Sequence, residues 1–94
     1  MHFIYIIHTK LKNHYYVGET HDLEQRLLKH NNYSYKGSFS KIASDWKIVL
    51  TYNCNFKEDA LFLERFIKRM KSKVFIEKNI RNPSILNTIL RKKK

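Results

Sequence analysis

The run His2-Phe3-Ile4-Tyr5-Ile6-Ile7-His8, followed after a polar stretch by Tyr15-Tyr16-Val17-Gly18, decides the fold. The first stretch is rich in β-branched and aromatic residues, too short for a stable helix and bounded by polar residues from Thr9 to His14, so it reads as a strand. Alternation puts Phe3, Tyr5 and Ile7 on one face and Ile4 and Ile6 on the other. Apolar side chains on both faces suit a central strand. Lys10-Leu11-Lys12-Asn13 makes a turn, strand character resumes at Tyr15, and an antiparallel hairpin is implied. Pairing brings Tyr5 and Tyr16 into one neighbourhood.

Beyond the hairpin, Asp22 can cap a helix, with Gln25 three residues on and Leu23, Leu27 and Leu28 as its apolar face. On that helix Arg26 and His30 are spaced i, i+4, which stacks them on one face about 6 Å apart. Both can reach a single phosphate. Asn31 to Asp45 has no regular period and mixes Tyr33, Tyr35 and Phe39 with Lys36, Gly37 and Lys41, so it reads as a long surface loop. Trp46 to Tyr52 is a third strand. Lys57 to Lys71 repeats as a helix whose inner stripe is Ala60, Leu63, Ile67 and Met70, widened by Phe62 and Phe66. Lys73 to Ile80 makes a further short helix. Pro83 opens a last helical stretch in a basic tail, about 83–94, that ends in Arg91-Lys92-Lys93-Lys94. The pattern is α+β: one domain over residues 1–94, a small three-stranded antiparallel sheet flanked by helices.

A chain of 94 residues carries Lys+Arg 19 against Asp+Glu 8, a formal net charge of +11, so polyanions are the favoured partners and DNA heads them. No apolar run reaches the roughly 20 residues needed to span a bilayer, and no signal pattern is visible, so no membrane role and a cytoplasmic location are expected. Cys54 is the single cysteine, which excludes an internal disulfide and a cysteine zinc site. His2, His8, His14 and His21 are scattered, with no helical pair to suggest zinc.

In order and spacing these residues resemble the GIY-YIG nuclease superfamily, in particular its small single-domain bacterial members. Phe3-Ile4-Tyr5 stands where the first motif would be, Tyr16-Val17-Gly18 where the second would be, and Asp22 to Asn31 resembles the following helix. Asp45-Trp46-Lys47-Ile48-Val49, and Ala60-Leu61 followed by Glu64, resemble later segments. The resemblance implies hydrolysis of a DNA phosphodiester, by in-line attack of water, with one divalent cation, Mg²⁺ or Mn²⁺. It implies that Tyr5 acts as general base or positions the water and that Tyr16 helps to order water and phosphate. It implies further that Arg26 stabilises the charge of the transition state, that His30 holds a site position, and that Glu64 is the one protein carboxylate on the metal. Phe3 replaces the glycine of the first motif, Val17 the isoleucine of the second, and Glu19 stands where some repair-type members carry lysine.

The residue types suit that chemistry on their own account. A guanidinium is a planar, permanent cation matched to phosphate oxygens, and charge stabilisation aimed at the transition state is often the largest catalytic contribution. A phenol with a reference pKa of about 10 is a poor base at neutral pH unless neighbours lower the barrier. One carboxylate with waters and phosphate matches Mg²⁺, which keeps several waters. Gly18 is assigned shape, by permitting a turn or a close approach. Lys36, Lys41, Lys68 and Lys71 are candidate DNA contacts. Plain alternatives stand beside these: strand tyrosines tucked into a core, a solvated face for Arg26 and His30, and a surface ion pair between Glu64 and Lys68 at i+4. The competing function is a nucleic-acid-binding module of the same fold without turnover, and a protein partner that supplies specificity fits either reading.

Overall fold

The computed structural model describes residues 2–31 and 45–93. In chain order these form β1 (His2–Thr9), β2 (His14–Thr20), α1 (Leu23–Asn31), β3 (Lys47–Cys54), α2 (Lys57–Met70), α3 (Lys73–Arg81) and α4 (Ser84–Arg91). The sheet order is β2-β1-β3 with both pairings antiparallel, so the first strand is central. This is the expected α+β arrangement. The hairpin turn is Lys10–Asn13, closed by Asn13 with φ 52°, a left-handed conformation that asparagine tolerates well. Asp45 braces that turn from across the chain: Thr9 Oγ1 donates to its Oδ1, and the Lys10 and Leu11 amides donate to Oδ2 at 3.1 and 3.3 Å. These hydrogen bonds, the Thr9 hydroxyl first, hold the Asp45 carboxyl below the usual carboxylate range.

Alternation along β1 divides the core in two. Ile4 and Ile6 join Val17, Leu50 and Cys54 against Ala60, Leu63 and Ile67 of α2 and Leu86 and Ile89 of α4. Tyr5 and Ile7 face the other way, where Trp46, Tyr16, Leu23, Leu27 and Ile48 gather under α1. The sheet is thus a middle layer between α1 and the α2–α4 group. Between Ile6 and Ile7 the β1–β3 register slips: Ile6 opposes Leu50 and Ile7 opposes Ile48, so Val49 bulges and is exposed.

Two apolar positions depart from expectation. Leu28 is 55 % exposed, because the buried stripe of α1 runs through Leu23, Leu27 and His30, and Leu28 lies about 100° further round the helix. Met70, expected in the inner stripe of α2, is 47 % exposed in the last turn. There Lys71 takes φ 47° and the chain leaves for α3. Ser72 starts α3 as its cap, accepting from the Phe75 amide at 3.1 Å. The stretch expected as a basic tail is helical over Ser84–Arg91 and buries Leu86 and Ile89, leaving Arg91, Lys92 and Lys93 as its cationic end. Lys93 returns to α2, 2.7 Å from Asp59. Among the described residues no helix is long and apolar enough to cross a membrane.

Candidate active site

Tyr5 pairs across the hairpin with Gly18. A Cβ on Gly18 would stand 2.4 Å from the Tyr5 hydroxyl oxygen and 2.6 Å from Cζ, so the phenol lies directly on the glycine backbone. Any larger residue would push the ring away. The strand then hands the chain to α1 through two local caps: Thr20 Oγ1 accepts from the Asp22 amide, and Asp22 Oδ1 accepts from the Gln25 amide, both at 3.1 Å. With the helix start fixed in this way, Arg26 falls one turn in and His30 two turns in, on the side that meets the sheet.

His30 is 1 % exposed, and its Nε2 lies 2.9 Å from the Tyr5 hydroxyl. The Tyr16 ring packs against it at 4.7 Å between centroids, with Tyr5 6.4 Å from Tyr16. Trp46 closes the cluster, 6.4 Å from Tyr16 and 6.5 Å from His30. Asn31 locks Trp46 in place, since its side-chain amide donates to the Trp46 carbonyl at 3.2 Å and its Oδ1 accepts from the Trp46 amide at 2.7 Å. Burial, and next the charge of Arg26, push the His30 pKa down to about 4. At neutral pH the imidazole is therefore uncharged, and Nε2 can accept the Tyr5 proton. Tyr5 itself is 2 % exposed, whereas Tyr16 is only half-buried, so of the two phenols Tyr16 is the one nearer solvent.

The acidic group comes from the opposite layer. Glu64 of α2 pairs with Lys68 at 2.8 Å, and the Lys68 ammonium reaches round the free edge of β2 to stand 5.6 Å from the Tyr16 ring centroid. The i, i+4 ion pair that offered the plain reading of Glu64 is therefore present. It also ties the carboxylate to the tyrosine cluster instead of leaving it in bulk solvent, and the Glu64 side chain is 19 % exposed. Lys71 lies beside Lys68 along the same edge, with Tyr15, Tyr16 and Val17. On the other flank Arg26 and Lys29 line a shallow pocket with His21 and Gln25. Lys36 and Lys41 lie outside the described residues, as do Tyr33, Tyr35 and Phe39.

Among the described residues no three His, Cys, Asp or Glu side chains gather as a metal cage. A cation at this site would rest on Glu64, with waters and phosphate completing its shell. The donor set fits: the carboxylate already holds a cation, the Lys68 ammonium, next to Tyr16.

The model of the GIY-YIG catalytic domain matches residues 1–79. The chain belongs to the GIY-YIG family. The match covers both Phe3-Ile4-Tyr5 and Tyr16-Val17-Gly18, and GIY-YIG domains are nuclease-type domains that generally depend on a divalent cation. No curated protein and no solved structure matches the chain. The GIY-YIG match stops before α4, the helix that completes the core under α2. Sequence reasoning missed the Asn31–Trp46 clamp and the Asp45 brace, which are built on single polar residues with no spacing signal. Their only trace was the position of Asn31 directly after His30 and of Asp45 directly before the third strand.

Proposed function

We propose that this protein is a divalent-metal-dependent DNA endonuclease. The observation that carries the reading is the 2.9 Å contact between the buried Tyr5 hydroxyl and His30, beside a half-open Tyr16 that Lys68 links to Glu64. Glu64 would hold Mg²⁺ or Mn²⁺, and a divalent ion there supplies Lewis acidity and an acidified water. Arg26 binds the scissile phosphate and stabilises the charge that grows on its equatorial oxygens. Tyr16 orders the attacking water, and the neutral His30 accepts from the Tyr5 hydroxyl, which fixes the phenol and leaves its oxygen lone pairs to orient that water. An imidazole with a pKa of about 4 is too weak a base to store a proton at neutral pH, so the water proton leaves to solvent and the phenol acts by position. With a divalent ion on Glu64, Lys68 would be released from its carboxylate partner and free to pair with a substrate phosphate. Repair or recombination of DNA is the setting in which such a nuclease belongs.

The test is cleavage of plasmid, flap and four-way DNA with Mg²⁺ or Mn²⁺ and with EDTA. Wild type nicks in metal alone, and Glu64→Ala abolishes nicking; activity that persists in Glu64→Ala sinks the assignment. Arg26→Ala lowers the rate by about 10²–10³ with DNA affinity little changed, the signature of an interaction made in the transition state. The Lys68–Glu64 ion pair also favours a second reading, a GIY-YIG module that binds nucleic acid without turnover. On that reading binding is indifferent to EDTA and no metal yields a nick.

A further inference from the structure

Between the outer edge of β2 and the junction of α2 with α3 runs a groove of about 310 Å³, whose lining includes Tyr16, Val17, Ile67, Lys68, Lys71 and Ile76. Its volume lies near the lower end of ordinary ligand sites. Its accessible apolar surface comes from the half-buried Tyr16 and Ile76, with Val17 and Ile67 almost fully buried beneath them. Its rim is cationic, with Lys68 and Lys71 at one side and no carboxylate among the lining residues. It begins at Tyr16, the half-open member of the aromatic cluster, and at the lysine that holds Glu64. An apolar slot with room for a nucleotide, rimmed by ammonium groups and bordered by Tyr16, is the chemistry of a nucleotide subsite.

Lys71 gives a second, independent observation. It ends α2 with φ 47°, in the left-handed region where glycine is favoured and a long side chain carries a backbone cost. Asn13, the other described non-glycine residue with positive φ, is of a type that adopts it readily. A lysine held in this conformation at the mouth of a groove points to a use for its side chain. Beyond it, α3 starts with no acidic residue in its first turn, and its Glu77 is engaged by the Tyr15 hydroxyl at 3.2 Å.

We infer that this groove receives one unpaired nucleotide next to the scissile phosphate, with its base against Tyr16 and Ile76 and its phosphate between Lys68 and Lys71. The inference rests on the nuclease reading for the identity of the polymer and deepens it by naming the substrate class: DNA that exposes an unpaired base at a junction. A blunt duplex keeps its bases stacked and leaves the slot unfilled.

The experiment reads binding in EDTA, so that cleavage does not enter. Forked and blunt duplexes of equal length carry 2-aminopurine at the first unpaired position of the fork and at the matching position of the duplex. Wild type binds the fork about 10-fold more tightly, and the fork's 2-aminopurine signal changes on binding. Lys71→Gly keeps and relaxes the left-handed turn, so the protein stays folded, yet the preference shrinks to about 2-fold. Lys71→Arg restores it. Equal affinity of wild type for fork and blunt DNA overturns the inference, and so does an undiminished preference in Lys71→Gly. A fork preference that depends on Lys71, in a protein that never nicks DNA with metal, upholds the groove and removes the nuclease reading. Nicking without fork preference does the reverse.

Discussion

His30 is the side chain whose surroundings most alter its chemistry. A histidine 1 % exposed, near the Arg26 cation, stays neutral until the pH approaches 4, whereas in the unfolded chain it takes up its proton near 6.5. Between those values the unfolded state binds more protons, so stability falls as pH is lowered from 6.5 to about 4 and is flat for this residue above 6.5. The loss over the whole window amounts to about 3 kcal/mol. Urea unfolding at a series of pH values from 7 to 4 measures it. His30→Phe starts from a lower stability, because Tyr5 loses its partner, but loses less on acidification than wild type by about that amount. Identical pH slopes in the two proteins would show that His30 is not held neutral. The same burial keeps His30 uncharged and able to accept from Tyr5 down to mildly acidic pH, so nicking activity does not fade with the usual histidine titration.

At the scale of elements, α4 has a larger structural role than its basic sequence end suggests. Leu86 is fully buried and Ile89 nearly so, both against the α2 side of the sheet. Leu86→Ala is expected to cost about 2–5 kcal/mol, as removal of a buried leucine does. Thr88→Ala, on the exposed side of the same helix, shifts stability by less than about 0.5 kcal/mol. Chemical denaturation of the pair checks the contrast, and equal effects would mean that α4 is only loosely applied. The sequence conveyed the hairpin, the start of α1 and most of α2, because each has a local cause: alternation in β1, the Asp22 cap, and the spacing of Ala60, Leu63 and Ile67. It conveyed α4 poorly, since four closing basic residues drew attention away from Ile85, Leu86, Ile89 and Leu90 on one helical face. The candidate site divides in the same way. The types and positions of Tyr5, Tyr16, Arg26, His30 and Glu64 could be read from the order of residues. The Tyr5–His30 bond, joining residues 25 apart, and the reach of Lys68 round the edge of β2 depend on how layers pack, which no local spacing records.

For the molecule as a whole, the formal charge of +11 sets how DNA is held, and ionic strength separates general attraction from specific contact. Each phosphate neutralised releases counterions, so log K falls against log[salt] with a slope of about −0.9 per contact on duplex DNA. Net charge alone brings polyanions close, but only cations in register with phosphates enter the slope. Arg26 is kept for the transition state, so three candidates for ground-state phosphate contact border the described site: Lys29 on the α1 flank, and Lys68 and Lys71 on the β2 edge. If all three engage, the slope is about −3. Lys29→Ala and Lys71→Ala each make it shallower by about 0.9, whereas Lys57→Ala, on a residue outside both flanks, leaves it unchanged. Titration of labelled DNA at several salt concentrations in EDTA gives all of these slopes. The decisive comparison is Lys68→Ala. In the free protein Lys68 is paired with Glu64, so truncation removes a phosphate contact and at the same time frees a carboxylate beside the DNA. Metal-free affinity therefore drops by more than the Lys71→Ala change produces, and added Mg²⁺ recovers part of it by neutralising Glu64. A Lys68→Ala protein whose DNA affinity ignores Mg²⁺ would show that Glu64 does not receive the cation, and the carboxylate would revert to a surface ion-pair partner.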